Sequence, residues 1–313
     1  MTRALVFPGQ GSQAVGMGKE LADAFPVARE VFQEIDDALS QKLSALMFEG
    51  PENELTLTEN AQPALMAVSL AVTRVLENEG GFTLTDKCDL VAGHSLGEYS
   101  ALAAAGTFAV ADTARLLKIR GQAMQAAVPV GVGAMAALLG LDFADAVAVA
   151  EQAAQGEVCT AANDNANGQV VVSGHKAAVE RAIEIAKEKG AKRAVLLPVS
   201  APFHCSLMQP AADRMAEALA EVAMNAPGKP VVANVTAEKT DNPETIRKLL
   251  VEQVCGTVRW RESVLYMKTQ GITDLVEIGA GKVLTGMVRR IDRDLTGTSV
   301  NGPADIEAFL GSL

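Results

Sequence analysis

A serine bracketed by two glycines stands at the point where a short apolar segment gives way to a helix. Residues 93–97 read Gly-His-Ser-Leu-Gly, a G-x-S-x-G pattern. The apolar residues 90–92 before it predict a buried strand, and residues 96–105 after it predict a helix. A strand–turn–helix context is typical of a nucleophile elbow, which holds a serine hydroxyl on an exposed tip. The alternative is a glycine-rich turn with an incidental serine.

The rest of the chain alternates between short apolar runs and helical runs, which favours an α/β fold with a mostly parallel sheet. We predict further strands over residues 4–7, 231–235 and 273–278. We predict further helices over residues 27–39, 61–78, 111–127, 207–221, 243–253, 260–270 and 282–292, followed by a short tail.

The middle of the chain has a different order of elements. Between residues 130 and 198, strands and helices alternate as β-α-β-β-α-β, with a polar turn predicted over residues 163–168. This order is that of a ferredoxin-like unit. We therefore predict a large α/β domain from residues 1–129 and 199–313, with a ferredoxin-like subdomain inserted at residues 130–198.

Composition excludes several classes of function. The net charge of −11 repels phosphate backbones and anionic membranes, and aromatic residues make up only 4% of the chain. We expect no nucleic-acid or membrane partner. The four cysteines show no metal-ligand spacing, so we expect no metal. Without a signal peptide or an 18-residue apolar run, the sequence favours a cytoplasmic protein.

A nucleophilic serine needs a base, and the chain has three histidines. His94 is adjacent to Ser95 and should point away from it, while His175 is best interpreted as a solvated residue at a helix start. His204 precedes a helix whose dipole favours a neutral imidazole. By elimination His204 is the predicted base. An acid or a backbone carbonyl could orient it.

Arg120 is predicted on the face of a helix that packs against the core. A guanidinium there needs an anionic partner. That partner is either a buried protein carboxylate or the carboxylate of a substrate, held by a bidentate contact. The helical neighbours of Arg120 are all apolar: Leu116, Leu117, Ala123 and Met124.

A glycine-containing loop follows the first predicted strand. Residues 9–14, Gly-Gln-Gly-Ser-Gln-Ala, nominally fit a dinucleotide-binding pattern. The second strand that such a site requires is replaced by the predicted helix over residues 27–39. We expect instead that this loop supplies backbone N–H donors beside the elbow, where the Leu96 N–H would also stabilise an oxyanion.

Three separated segments together resemble the malonyl-CoA:acyl carrier protein transacylase family, over essentially the whole chain. They are residues 7–13 (Phe-Pro-Gly-Gln-Gly-Ser-Gln), 93–101 (Gly-His-Ser-Leu-Gly-Glu-Tyr-Ser-Ala) and 198–204 (Pro-Val-Ser-Ala-Pro-Phe-His). The resemblance implies a hydrolase-like parallel-sheet α/β domain with an inserted ferredoxin-like subdomain. One departure is Gly-Ala-Gly at residues 279–281, where the family usually has Gly-Pro-Gly.

The resemblance also implies a reaction and its residues. A malonyl group would pass from malonyl-CoA to the phosphopantetheine thiol of holo acyl carrier protein through a malonyl-serine ester, without a cofactor. We expect the step to serve fatty acid synthesis, with polyketide synthesis as the alternative, and the protein to be a monomer. The implied residues are Ser95 as nucleophile, His204 as base, Arg120 as carboxylate clamp, the Gln10 and Leu96 amides as oxyanion hole, and Gln253, whose main-chain carbonyl orients His204.

Three other functions compete with this one. An ester or thioester hydrolase would use the same elbow with water as the acceptor, and a noncatalytic acyl-binding module would need neither nucleophile nor base. A transferase for branched acyl groups is disfavoured because Phe203 adds bulk where an α-methyl group would lie.

The acidic carrier protein would need a basic patch on this protein for docking. Two clusters are candidates: Lys187, Lys189, Lys192 and Arg193, or Arg289, Arg290 and Arg293.

Overall fold

The computed structural model describes residues 2–313 and contains two separate β-sheets with helices packed on them. The strands are β1 (Arg3–Phe7), β2 (Leu90–Gly93), β3 (Gly133–Leu139), β4 (Cys159–Ala166), β5 (Gln169–His175), β6 (Arg193–Leu196), β7 (Val231–Val232), β8 (Lys239–Thr240), β9 (Asp274–Ile278) and β10 (Thr296–Val300). The α-helices are α1 (Lys19–Ala24), α2 (Pro26–Leu39), α3 (Leu43–Glu49), α4 (Glu52–Leu55), α5 (Thr58–Gly80), α6 (Leu96–Ala104), α7 (Val110–Ala127), α8 (Phe143–Ala154), α9 (Lys176–Glu188), α10 (Gln209–Ala220), α11 (Pro243–Cys255), α12 (Trp260–Thr269), α13 (Thr285–Ile291) and α14 (Pro303–Leu310).

The larger sheet has the strand order β10-β9-β1-β2-β7-β8 and is parallel except for the edge pair β7–β8. Residues 4–7 of β1 and residues 90–92 of β2 are apolar and buried because helices cover both faces, as expected for a parallel sheet. The long helix α5 is buried along most of its length and packs with α7 and α2 on one side. This architecture confirms the predicted α/β fold and places the end of β2 near the middle of the sheet.

The smaller sheet is antiparallel, with the order β4-β5-β3-β6. The helices α8 and α9 pack on it around a separate apolar core. Strand order and connectivity together are those of the predicted ferredoxin-like unit. We propose that residues 130–198 form the subdomain, since its first strand begins at Gly133 and its last ends at Leu196.

A salt bridge joins the smaller sheet to helix α12 of the larger α/β part. Asp164 on β4 is almost fully buried and accepts two hydrogen bonds of 3.0 Å from the Arg261 Nε of α12. Burial raises the pKa of Asp164, and Arg261 opposes that shift. The Asp164 amide also donates to the Val258 carbonyl at 2.9 Å. These contacts hold the end of β4 above the larger sheet.

The structure corrects three predictions of secondary structure. Residues 163–166 of the predicted polar turn are strand, because they pair with β5 and because Asn163 and Asp164 are buried, unlike the residues of a solvated turn. The strand predicted over residues 231–235 ends at Val232. The predicted short tail contains β10 and α14; β10 reads Thr-Gly-Thr-Ser-Val, which lacks an apolar pattern and is held by pairing with β9.

A glycine sets the distance between helix α6 and the sheet. A Cβ atom on Gly97 would lie 2.2 Å from the Phe7 carbonyl oxygen and 2.8 Å from that of Pro8. Both obstacles are backbone atoms, which cannot rotate away as a side chain can. The second glycine of the 93–97 segment is therefore required for packing of α6 against β1.

Gly97→Ala should destabilise the protein by about 1–3 kcal/mol or more, because the added methyl group forces the backbones of α6 and β1 apart. The exposed helical glycine Gly286, whose added Cβ would meet nothing within 4 Å, is the matched control. Gly286→Ala should leave stability unchanged or raise it by about 0.4–1 kcal/mol. Urea unfolding of both variants measures the difference. Equal midpoints for the two would contradict the packing argument.

Candidate active site

Ser95 lies at a sharp turn between β2 and α6. Its backbone has φ +53° and ψ −111°, a conformation that residues other than glycine rarely adopt. A Cβ on Gly93 would lie 1.9 Å from the Gly97 carbonyl carbon, so the turn closes only with glycine there. The Asn234 side chain bridges the turn, since its Oδ1 accepts from the Ser95 amide at 2.8 Å and its Nδ2 donates to the Gly93 carbonyl at 2.7 Å. This geometry is that of the predicted elbow.

His204 contacts the serine directly. The distance from His204 Nε2 to Ser95 Oγ is 2.8 Å. On the other side of the ring, Nδ1 donates to the main-chain carbonyl of Gln253 at 2.9 Å and lies 3.2 Å from that of Gly256. A proton on Nδ1 leaves Nε2 free to accept the serine hydroxyl. The orienting group is thus a backbone carbonyl and not an acid.

The imidazole of His204 is held neutral. Burial is the main cause that lowers its pKa to about 3, and the charge of Arg120 lowers it further, whereas the hydrogen bond to Gln253 opposes the shift. The sequence predicted a neutral ring because of the dipole of a following helix. In the structure, burial and the guanidinium account for it instead, and the ring is a neutral acceptor across the physiological pH range.

Arg120 is fully buried beside the serine. Its Nη2 donates to Ser95 Oγ at 3.1 Å and to Gln253 Oε1 at 2.8 Å, and its Nη1 donates to Gln62 Oε1 at 2.8 Å. The guanidinium also lies over the Tyr99 ring at 5.6 Å. Within residues 2–313 it forms no salt bridge, so the alternative of a buried ion pair with a protein carboxylate is absent. The structure supplies neutral oxygens to this cation and leaves its charge for another anion.

Glu98 is a buried carboxyl group that the sequence did not single out. Its Oε2 accepts from Gln253 Nε2 at 2.7 Å and from the backbone N–H of Asn234 at 3.1 Å. Burial raises its pKa to about 7, although the two hydrogen bonds and the charge of Arg120 oppose the shift. Because Arg120 can only donate, the Gln253 side chain presents its oxygen to Arg120 and its nitrogen to Glu98, whose Oε2 accepts. Glu98 lies in the first turn of α6, on the face toward the core. A charged residue at such a position was the feature of the sequence that could have identified it as part of the site.

A cavity of about 460 Å³ opens above the serine, between the two sheets. Gln10 and Leu96 both line it. The Leu96 amide is at the start of α6, and within residues 2–313 neither the Gln10 nor the Leu96 amide donates to a protein acceptor. Residues of the smaller sheet and residues from loops and helices of the larger α/β part line this cavity together, so it lies where the two parts of the chain meet. The lining residues include Gln62, His94, Arg120, Asn165, Phe203 and His204.

The other two histidines are engaged elsewhere. His94 Nε2 lies 2.8 Å from Asn165 Oδ1, and burial lowers the His94 pKa. His175 precedes α9 as predicted, but its Nδ1 accepts from the Val158 amide at 2.9 Å, so the ring is not simply solvated. Only His204 reaches the serine hydroxyl.

Metal-binding clusters and membrane-spanning helices are both absent from the described part of the chain. Nowhere in residues 2–313 do three or more His, Cys, Asp or Glu side chains come together in a way that could hold a metal ion. Over the same residues, the helices are too short or too polar for any of them to cross a bilayer.

Glu98→Gln should change how stability depends on pH. Between its ordinary pKa of 4.5 and its folded pKa of about 7, the folded state holds a proton that the unfolded state has released, so the wild type loses stability as pH rises through this window. The variant lacks this loss. Its free energy of unfolding relative to the wild type should therefore increase from pH 4.5 to pH 7, with a slope of at most about 1.4 kcal/mol for each step of one in pH.

Urea unfolding at several pH values measures this difference, with the exposed Glu221→Gln as the control. Parallel stability curves for Glu98→Gln and the wild type would show that the Glu98 carboxyl has no raised pKa.

Comparison with known proteins agrees with this geometry. The acyl transferase domain family matches residues 4–301. A malonyl CoA-acyl carrier protein transacylase of Escherichia coli (strain K12) is 49% identical over 307 residues, which cover 98% of each chain.

Two solved structures are similar over nearly their full length. The acyl-carrier-protein-S-malonyltransferase of Bartonella henselae is 58% identical, covers 100% of this chain and 99% of its own, and superposes with a TM-score of 0.97. A type II PKS acyl-carrier protein in complex with its malonyl-transacylase matches at 45% identity, with full coverage of both chains and a TM-score of 0.96. The chain belongs to the acyl transferase domain family and, within it, to the malonyl CoA-acyl carrier protein transacylases.

Proposed function

We propose that this enzyme transfers a malonyl group from malonyl-CoA to the phosphopantetheine thiol of holo acyl carrier protein, through an ester on Ser95. The observation that carries the proposal is the buried Arg120 guanidinium, which touches the Ser95 hydroxyl at 3.1 Å and has only neutral oxygen partners. An acyl group esterified to that hydroxyl and ending in a carboxylate would meet this charge. The names of the relatives support the same reaction.

Acylation begins at the hydrogen bond between Ser95 and His204. As Ser95 Oγ attacks the thioester carbonyl, its proton passes to His204 Nε2, and the Gln253 carbonyl on Nδ1 stabilises the imidazolium that forms. The main-chain N–H groups of Gln10 and Leu96 would donate to the developing oxyanion, since both residues line the cavity and neither N–H has a protein acceptor among the described residues. When the tetrahedral intermediate collapses, the C–S bond breaks and His204 returns the proton to the departing CoA thiolate.

The second half reaction reverses the first with another thiol. His204 takes the proton of the phosphopantetheine thiol, the sulfur attacks the malonyl ester, and the Ser95 oxygen leaves with the proton from His204. The low pKa of His204 leaves its Nε2 unprotonated at neutral pH, so that it can accept the proton in both halves. A hydrolase would use water in place of the thiol, and the carboxylate clamp is a feature that such an enzyme does not require.

Arg120 would bind the malonyl carboxylate through its two Nη groups. Burial makes this contact strong, because a charge-assisted pair is little screened away from water. Gln62 and Gln253 fix the orientation of the guanidinium through neutral amide oxygens. A substrate carboxylate therefore does not have to displace a protein carboxylate. Phe203, adjacent to the base and lining the cavity, leaves little room for an α-methyl group and favours malonyl over branched acyl groups.

We also propose the acceptor of the malonyl group, its docking surface, and the compartment, oligomeric state and pathway in which the enzyme acts. Holo acyl carrier protein is the acceptor, by analogy with the carrier protein complex of a 45% identical neighbour, and either basic cluster near residues 187–193 or 289–293 is a docking candidate. Four cysteines without disulfides favour a reducing, cytoplasmic compartment. The enzyme would act as a monomer in fatty acid synthesis, with no cofactor.

Mixing the enzyme with malonyl-CoA should give a malonyl adduct visible by intact-protein mass spectrometry, and holo acyl carrier protein should then remove it as a malonyl thioester. Ser95→Ala should form no adduct, because no other hydroxyl lies on the elbow. A malonyl adduct on another residue of the variant would remove Ser95 from this role. Release as free malonate, unchanged by the carrier protein, would favour the hydrolase.

Arg120→Ala should slow malonyl transfer by raising its activation free energy by several kcal/mol. This is the scale of removing one partner of a buried charged pair. Acetyl transfer should be kept or increased, because acetyl-CoA has no carboxylate to leave unpaired. Arg120→Lys should recover only part of the malonyl rate, since an ammonium cannot make the bidentate contact. The rates with both thioesters and a thermal melt test this. Equal losses with both substrates, together with a lower melting temperature, would mean a purely structural role.

A further inference from the structure

Four side chains form a continuous line of hydrogen bonds from the clamp to the loop at residues 9–14. Arg120 Nη1 donates to Gln62 Oε1 at 2.8 Å, and Gln62 Nε2 donates to Thr58 Oγ1 at 2.8 Å. The Thr58 hydroxyl in turn donates to Gln10 Oε1 at 3.0 Å. Thr58, the first residue of α5, is fully buried and takes no direct part in the proposed chemistry.

The direction of each bond follows from the one before it. A hydroxyl carries one proton, and Thr58 gives that proton to Gln10 Oε1. Thr58 can then only accept from Gln62, so the amide of Gln62 must present its nitrogen to Thr58 and its oxygen to Arg120. With the hydroxyl removed, Arg120 would still face the Gln62 oxygen, but the Gln62 NH₂ group would lose this acceptor and Gln10 Oε1 would lose its donor, so the link between Arg120 and Gln10 would be broken.

The two ends of this line meet the two ends of the proposed substrate. In the proposed complex Arg120 would bind the malonyl carboxylate, and the main-chain N–H of Gln10, the residue whose side chain ends the line, would donate to the thioester oxygen. Resting on the proposed function, we infer that Thr58 is a positioning residue that fixes the spacing between the carboxylate clamp and the oxyanion donor, and so selects a malonyl group by its length.

Isosteric substitution separates this role from a packing role. Thr58→Val keeps the shape and removes the hydroxyl, whereas Thr58→Ser keeps the hydroxyl and removes a methyl group. Adduct formation is measured with malonyl-CoA, acetyl-CoA and succinyl-CoA, the last one methylene longer, together with kcat and KM for each and a thermal melt.

Thr58→Val should lower the malonyl-to-acetyl rate ratio roughly threefold to tenfold, the effect of one hydrogen bond, and should raise the succinyl-to-malonyl ratio. Thr58→Ser should keep both ratios. In a Gln62→Leu background, Thr58→Val should no longer change the malonyl-to-acetyl ratio, because the next link of the line is already missing.

Equal losses with all three thioesters in Thr58→Val, or the same ratio changes in Thr58→Ser, would overturn the inference and assign Thr58 to packing. Should Thr58→Val fail to fold, unchanged ratios in Gln62→Leu alone would overturn it as well. Absence of any malonyl adduct on the wild-type enzyme would instead overturn the proposed function, which keeps the two failures apart.

Discussion

The arrangement depends on a buried guanidinium that forms no direct ion pair with any described carboxylate, since the nearby Glu98 is hydrogen-bonded to Gln253 instead. Removing a charge from water is costly, and a protein usually compensates with an opposite charge. Arg120 receives instead two amide oxygens, from Gln62 and Gln253, and the Ser95 hydroxyl. The amide oxygens accept from both Nη groups and fix the orientation of the cation without carrying a charge, while its buried Nε–H has no partner among the described residues. The guanidinium therefore keeps a positive charge with which a substrate carboxylate can form a direct ion pair.

Each group that holds Arg120 is itself held by a second partner. Gln253 is the most connected, since its side chain joins Arg120 to Glu98 and its main-chain carbonyl holds His204. The buried carboxyl of Glu98 accepts hydrogen bonds from the Gln253 side chain and from the backbone N–H of Asn234, and the charge of Arg120 also favours its ionised form. The proposed base and the proposed clamp therefore share one residue, and a change at position 253 would disturb both.

Local patterns in the sequence were enough for most of the elements and for the elbow, because strand, turn and helix signals depend on near neighbours. The order of the ferredoxin-like unit and the buried face of Arg120 follow from the same kind of signal. Strand β10 was missed because pairing with β9, and not its own composition, makes it a strand. The serine–histidine contact, which joins residues 109 positions apart, could be proposed only by elimination.

Tertiary structure alone decided how the distant groups meet. The sequence left open whether an acid or a carbonyl orients His204, and the fold answers with the carbonyl of Gln253, 49 residues away. It left open whether Arg120 pairs with a protein acid, and the fold surrounds it with neutral amides. Glu98, Gln62 and Thr58 carried no local signal strong enough to single them out. Their importance comes from hydrogen bonds between segments far apart in the chain, and those partners are known only once the chain is packed.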